Sequence, residues 1–93
     1  MAKYSIHQTA RFARDVRLAK KRGKNLRLLS AAIDLLAAGE ALPAAYKDHA
    51  LSGNWAGHRE CHIAPDWLLI YYIAGETLVL TLSRTGTHTD LLE

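Results

Sequence analysis

GHRECHIAPDWLLIYYIAGETLVLTLSR, residues 57–84, is the stretch whose reading decides the fold. Pro65-Asp66 and Gly75-Glu76 are turn signals of hairpin length. They divide the stretch into three strands, residues 57–64, 67–74 and 77–84. The middle one, Trp67-Leu68-Leu69-Ile70-Tyr71-Tyr72-Ile73, is apolar on both parities, which predicts a central strand buried on both faces. In the third, Leu78, Leu80 and Leu82 alternate with Val79, Thr81 and Ser83, the pattern of a half-buried strand. Three consecutive strands joined by tight turns make an antiparallel meander.

Upstream the apolar period changes from strand to helix. Phe12, Val16 and Ala19 recur at helical spacing over residues 9–22, with Thr9 placed as N-cap and Gly23 as the stop. A second helix over residues 26–38 carries Leu29, Ile33 and Leu36 on one stripe, with Leu28, Ala32 and Leu35 beside it. So wide an apolar surface must be covered, most simply by the sheet. The two helices, joined around Gly23, form a helical hairpin. Ahead of them, Tyr4 and Ile6 alternate with polar residues over residues 3–7 and predict a short strand. Residues 40–53 form a loop long and polar enough to carry function. The tail from Gly86 reads as a turn and a last short helical turn. The expected fold is α+β in the order β-α-α-β-β-β: a helical hairpin packed on a small antiparallel sheet, one domain over residues 1–93.

Apolar residues make up 49% of the chain, enough for a core and too many for a disordered segment. The N-terminus has no apolar leader segment, and no apolar run is long enough to span a bilayer. The lone Cys61 excludes an internal disulfide and fits a reducing compartment. The chain therefore reads as soluble and cytoplasmic, with no membrane partner. Its net charge of +3 hides an uneven distribution. Eight of the 12 Lys and Arg fall in residues 11–27: Arg11, Arg14, Arg17, Lys20, Lys21, Arg22, Lys24 and Arg27. Only Asp15 opposes them there. Such a stripe attracts polyanions, or an acidic protein, through steering and counterion release.

The second half holds the candidate chemistry. His49, His62 and His88 occur there with Asp66 and Arg84. Cleaving RNA requires a proton taken from a 2′-hydroxyl, a proton given to the 5′-oxygen, and cover for charge on the phosphoryl oxygens. Imidazoles exchange protons near neutrality, and a guanidinium fork matches phosphate. In a meander, the end of the first strand and the start of the second lie beside the end of the third. His62, Asp66, Arg84 and His88 can therefore meet at one end of the sheet. The loop carrying His49 must fold back to join them. Arg84 shares parity with Leu82, so simple alternation aims it at the core, and a bulge or the sheet's end must redirect it. No metal site is expected. His58 and His62 on one strand stand about 13 Å apart at ~3.3 Å per residue, too far to share an ion with Cys61.

Asp48-His49-Ala50-Leu51-Ser52-Gly53, then residues 59–71 (RECHIAPDWLLIY), then Arg84-Thr85-Gly86-Thr87-His88-Thr89-Asp90-Leu91, resemble the YafQ family of bacterial toxins in the RelE/ParE superfamily. The resemblance covers nearly the whole chain. It implies an mRNA interferase that cuts mRNA in the ribosomal A site without a cofactor, contacting 16S rRNA. It implies also a cognate antitoxin protein, whose complex with the toxin binds operator DNA. By motif position the catalytic set falls on His49, His62, Asp66 and His88. Arg84 and Trp67 fall on supporting positions, and Arg59 joins them as a candidate RNA contact. The last motif position, usually Phe, is Leu92 here, and leucine cannot stack on a base. Arg11, Arg14, Arg17, Lys20, Lys21, Lys24 and Arg27 then become candidate contacts to the ribosome or the antitoxin.

Three other readings remain open at this point. One is a gyrase-poisoning toxin of the same fold, which needs no histidine cluster. Another is a ribonuclease acting on bare RNA. The last is a binding module that works through the basic stripe alone.

Overall fold

The computed structural model describes residues 2–92, and the side chain of Leu92 lies outside what it describes. The elements are β1 (Ser5–Gln8), α1 (Ala10–Lys21), α2 (Leu26–Ala37), β2 (His49–Ala50), β3 (Arg59–Ala64), β4 (Trp67–Ala74), β5 (Val79–Gly86) and α3 (His88–Leu92). Single 3-10 turns at Ala44–Tyr46 and Gly53–Trp55 flank β2. Thr9 caps α1 as its sequence position predicts: its Oγ1 accepts the Phe12 N–H at 3.0 Å. The same hydroxyl donates to the Ser83 carbonyl at 2.9 Å and ties the start of α1 to β5. Gly23, at φ +79°, takes the left-handed position that ends α1.

The five strands stand in the order β1-β5-β4-β3-β2. The three-strand meander is antiparallel as expected, but β1 runs parallel to β5, with Ser5 opposite Val79 and Gln8 opposite Leu82. The sheet is therefore mixed. Side-chain alternation has the same period in either direction, so Tyr4 and Ile6 could not reveal strand polarity. The last strand also begins two residues later than its alternation suggests. Leu78 adopts φ +55° and belongs to the turn.

β4 is buried on both sides over residues 67–71, whereas Tyr72 and Ile73 are exposed, so the expected two-sided burial holds only for its first five residues. Trp67, Leu69 and Tyr71 face the helices, where they pack with Phe12, Ala19, Leu29, Leu36, Leu80 and Leu82. Leu68 and Ile70 face the other way, beneath Leu91 of α3, with Leu51 and Trp55 alongside. Two register shifts matter for the site. One lies between His62 and Ala64, and the other places Ile70 opposite Arg84 but Tyr71 opposite Leu82. The second makes Ser83 the extra residue of a bulge, so Arg84 changes face relative to Leu82. This is the redirection that the sequence required.

Candidate active site

Register decides which side chains meet. His49 pairs with Glu60, Glu60 with Ile70, and His62 with Leu68. Cross-strand partners share a face. His49, Glu60 and His62 therefore stand on the face of Leu68 and Ile70, away from α1 and α2. Leu91 packs α3 onto this face and brings His88 to the same group. The ring centroids of His62 and His88 are 5.8 Å apart, and those of His49 and His62 are 6.5 Å apart. Asp66, in the β3–β4 turn, accepts from His88 twice at one carboxylate oxygen: the ring Nδ1 at 2.9 Å and the backbone N–H at 3.2 Å. All four residues expected to be catalytic thus come together. An open groove of about 440 Å³ borders His62, lined by Ala45, Lys47, Ile63, Ala64 and Pro65.

Hydrogen bonds fix the tautomers. A carboxylate only accepts, so His88 holds its proton on Nδ1 and leaves Nε2 to exchange one. His49 Nδ1 lies 2.8 Å from the Lys47 carbonyl, which likewise only accepts. His49 Nε2 then faces Glu60 Oε1 at 3.5 Å, with His62 Nε2 4.0 Å from the same oxygen. The Glu60 side chain is only 4% exposed, and its other oxygen is buried without a hydrogen-bond partner among the described residues. Glu60 is the site residue that sequence reasoning missed. Its signal was available: two residues before His62 on one strand, it shares that residue's face. The His88 bonds hold the Asp66 carboxyl below the usual carboxylate range, side-chain bond first, with the charge on Lys24 adding to them. One donor atom each from Glu60, His62 and His88 lie within 4.8 Å of one another, a set that can hold a transition-metal ion.

Residues 4–93 match the family model for the YafQ bacterial toxin of type II toxin-antitoxin systems. The chain belongs to the YafQ family. A relative from Escherichia coli K12, named mRNA interferase toxin YafQ, is 41% identical over 92 residues, covering 98% of both chains. Among solved structures, YafQ in the E. coli DinJ-YafQ toxin-antitoxin complex superposes with TM-score 0.89 at 40% identity, over 98% of this chain and 99% of that one. A metal-bound toxin from Helicobacter pylori gives TM-score 0.90 at 37% identity, over 99% of this chain and all, 100%, of that one.

Other expected contacts of this YafQ-family chain sit elsewhere. Trp67 is 2% exposed and lies in the core between sheet and helices. Its Nε1 donates to Thr85 Oγ1 at 2.9 Å. It therefore presents no face to a base. Arg84 is half-buried, and Asp15 of α1 takes its Nε at 2.8 Å and one Nη at 3.0 Å. Arg59 pairs with Tyr71 and so stands on the helix face, away from the histidines. Cys61 faces the helices too, and burial pushes its thiol up to about 12, so it is neither nucleophile nor partner to His62 in a metal site. The backbone of Leu92 ends α3, and its side chain lies outside the described residues. Arg11, Arg14, Arg17, Lys20, Lys21 and Arg27 are exposed on the helical hairpin, while Lys24 is half-buried beside Trp67 and Asp66.

Arg59 instead holds the loop that presents His49. Asp48 accepts from its Nε at 3.2 Å and its Nη at 3.0 Å, and from the Tyr71 hydroxyl. These bonds fasten the residue before His49 to two strands. Asp48→Ala is expected to free β2 and lower the thermal midpoint by about 4–8 °C, as expected for ~1 kcal/mol in a small domain. Differential scanning calorimetry measures the midpoint. Amide exchange at Ala50 and Leu51 should rise in parallel while β4 amides stay protected.

Proposed function

We propose that this chain is the toxin of a type II toxin-antitoxin pair and cuts mRNA on the ribosome by acid–base catalysis without a metal. The carrying observation is the convergence of His49, Glu60, His62 and the Asp66–His88 pair on one open sheet face. Two proton-exchanging groups suffice for transesterification. One takes the 2′-hydroxyl proton as that oxygen attacks phosphorus. The other gives a proton to the departing 5′-oxygen. His88, with Nδ1 held by Asp66, has Nε2 ready for either transfer. His62 with Glu60 behind it forms the second group. Lys24, close enough to Asp66 for its charge to act there, supplies positive charge at the rim.

The helical hairpin supports the ribosome as the setting. Its exposed cations lie on the helical side, and the histidines lie on the opposite face of the sheet. One short RNA strand cannot follow both surfaces. A structured RNA on the helices with mRNA on the histidine face can, and 16S rRNA beside the A site offers that arrangement. The same helices suit an acidic antitoxin, which would bring operator DNA to the complex without direct contact from this chain. The E. coli relative solved in complex with DinJ is a parallel for such a partner. The RelE/ParE superfamily and a cytoplasmic setting belong to the same reading. In a reconstituted translation system, cleavage should need ribosomes, and toxin treated with a chelator and dialysed before it meets them should keep its full rate. Cleavage of bare RNA at equal rate, or a loss of rate in the stripped toxin that added zinc restores, would overturn the respective half. Full toxicity of a His62→Ala, His88→Ala double variant would move the reading to a binding poison.

A further inference from the structure

We propose that Arg22 is a positioning residue for His88, acting through Asp90. The idea rests on the reading of His88 as a proton-transfer group. α3 has five residues, too few to hold a helix by its own hydrogen bonds. It must be fixed from outside. Thr87 Oγ1 accepts the Asp90 N–H at 3.1 Å, and Asp90 Oδ2 accepts the Thr87 N–H at 3.0 Å. This is a reciprocal capping box, and His88 is the first residue inside it. Arg22, the C-cap residue that follows α1, closes the box: its two Nη atoms lie 2.7 and 3.4 Å from the two oxygens of Asp90. Behind the box, Gly86 leaves no room for a side chain, since a Cβ there would lie 2.9 Å from Asp90 Oδ2. His88 is thus held on one side by Asp66 and on the other by the chain Thr87–Asp90–Arg22.

Among the described residues, Arg22 is the one member of the basic stripe in an ion pair. The Arg22 bond, then the Thr87 backbone bond, hold the Asp90 carboxyl at about 2, so the box stays charged wherever an imidazole can work. The Arg22 side chain is 42% exposed, and a pair this wet adds little to global stability. Its effect is local: it orients one turn. A structural role and a positioning role therefore give different signatures.

The test compares Arg22→Gln, Arg22→Lys, Asp90→Asn and the Arg22→Gln, Asp90→Asn double variant in the ribosome cleavage assay, with His88→Gln as control. Arg22→Gln should lower kcat about tenfold, with KM within about twofold and the thermal midpoint within about 2 °C. Arg22→Lys should recover part of the rate, because one ammonium replaces a fork. The double variant should be no slower than the worse single, since both act through one contact. The ¹⁵N signals of the His88 ring should move from one fixed tautomer toward a mixture in Arg22→Gln. An unchanged kcat, an effect confined to KM, or additive losses would overturn the proposal while His88→Gln is inactive. A fully active His88→Gln would instead overturn the reading of His88, and the latch with it.

Discussion

His88→Ala is expected to slow mRNA cleavage by about 10²–10⁴-fold, the usual contribution of a positioned acid or base. That is about 3–5.5 kcal/mol of transition-state stabilisation. The thermal midpoint should barely move, because the His88 side chain is half exposed and bonded only to the exposed Asp66. His62→Ala should give a loss of similar size. The double variant should lose far less than the product of the two, because residues acting as a unit are not additive. Single-turnover rates on ribosome-bound mRNA measure all three. A His88→Ala rate above half that of the parent would remove His88 from the chemistry.

The pH dependence follows from the same pair, with the sign set by Asp66. Its carboxyl is held below the ordinary value, so its bond to His88 contributes fully above that ordinary value. The contribution disappears as pH falls through the lowered one. Asp66 therefore stays charged between about pH 7 and 5, and a loss of rate in that range does not report its protonation. Asp66→Asn should lower the rate at neutral pH, because an amide no longer holds the His88 ring through a charged bond. An unchanged rate at neutral pH would remove the Asp66–His88 bond from the chemistry.

What was legible in the sequence was whatever periodicity and local turn chemistry control. Residues 67–74 read as a strand buried on both faces, and β4 has those bounds, although only residues 67–71 are buried. Thr9 and Gly23 marked the ends of α1 because capping is local. Strand polarity was not legible, because β1 meets β5 across more than seventy residues and alternation carries no direction. The positive φ of Leu78 was invisible for a related reason: leucine gives no local sign of a left-handed turn. At the site, the sheet-end argument brought His62, Asp66 and His88 together correctly. The arrival of His49 depended on a two-residue strand fastened by Asp48, which no periodic pattern announces. Chemical type misdirected attention most at Trp67, Arg59 and Arg84. Each can contact RNA, and here one is core while the other two are engaged by acidic residues elsewhere in the chain.

Trp67→Ala should accordingly be the most destabilising single change among the site candidates. The ring is buried, so its removal loses both transfer free energy and packing, about 3–5 kcal/mol for a large aromatic. A chain of 93 residues has only about 5–14 kcal/mol of stability in total at ~0.05–0.15 kcal/mol per residue. Much of the fold's margin would go with one side chain. A base-stacking tryptophan predicts the reverse: a raised KM and an unchanged midpoint. Trp67→Phe separates the two further. It keeps most of the volume but loses the Nε1–H bond to Thr85, a loss of about 0.5–1.5 kcal/mol. Thr85 in turn donates to the Leu68 carbonyl at 2.7 Å, so this bond joins the strand leaving Asp66 to the strand that leads to His88. Trp67→Phe should therefore lower the urea midpoint and kcat together while leaving KM alone. A rise in KM with the urea midpoint unchanged would put the indole on RNA instead. The first outcome would mean that Trp67 serves the chemistry from inside the core, by setting the spacing between the two segments that carry the Asp66–His88 pair.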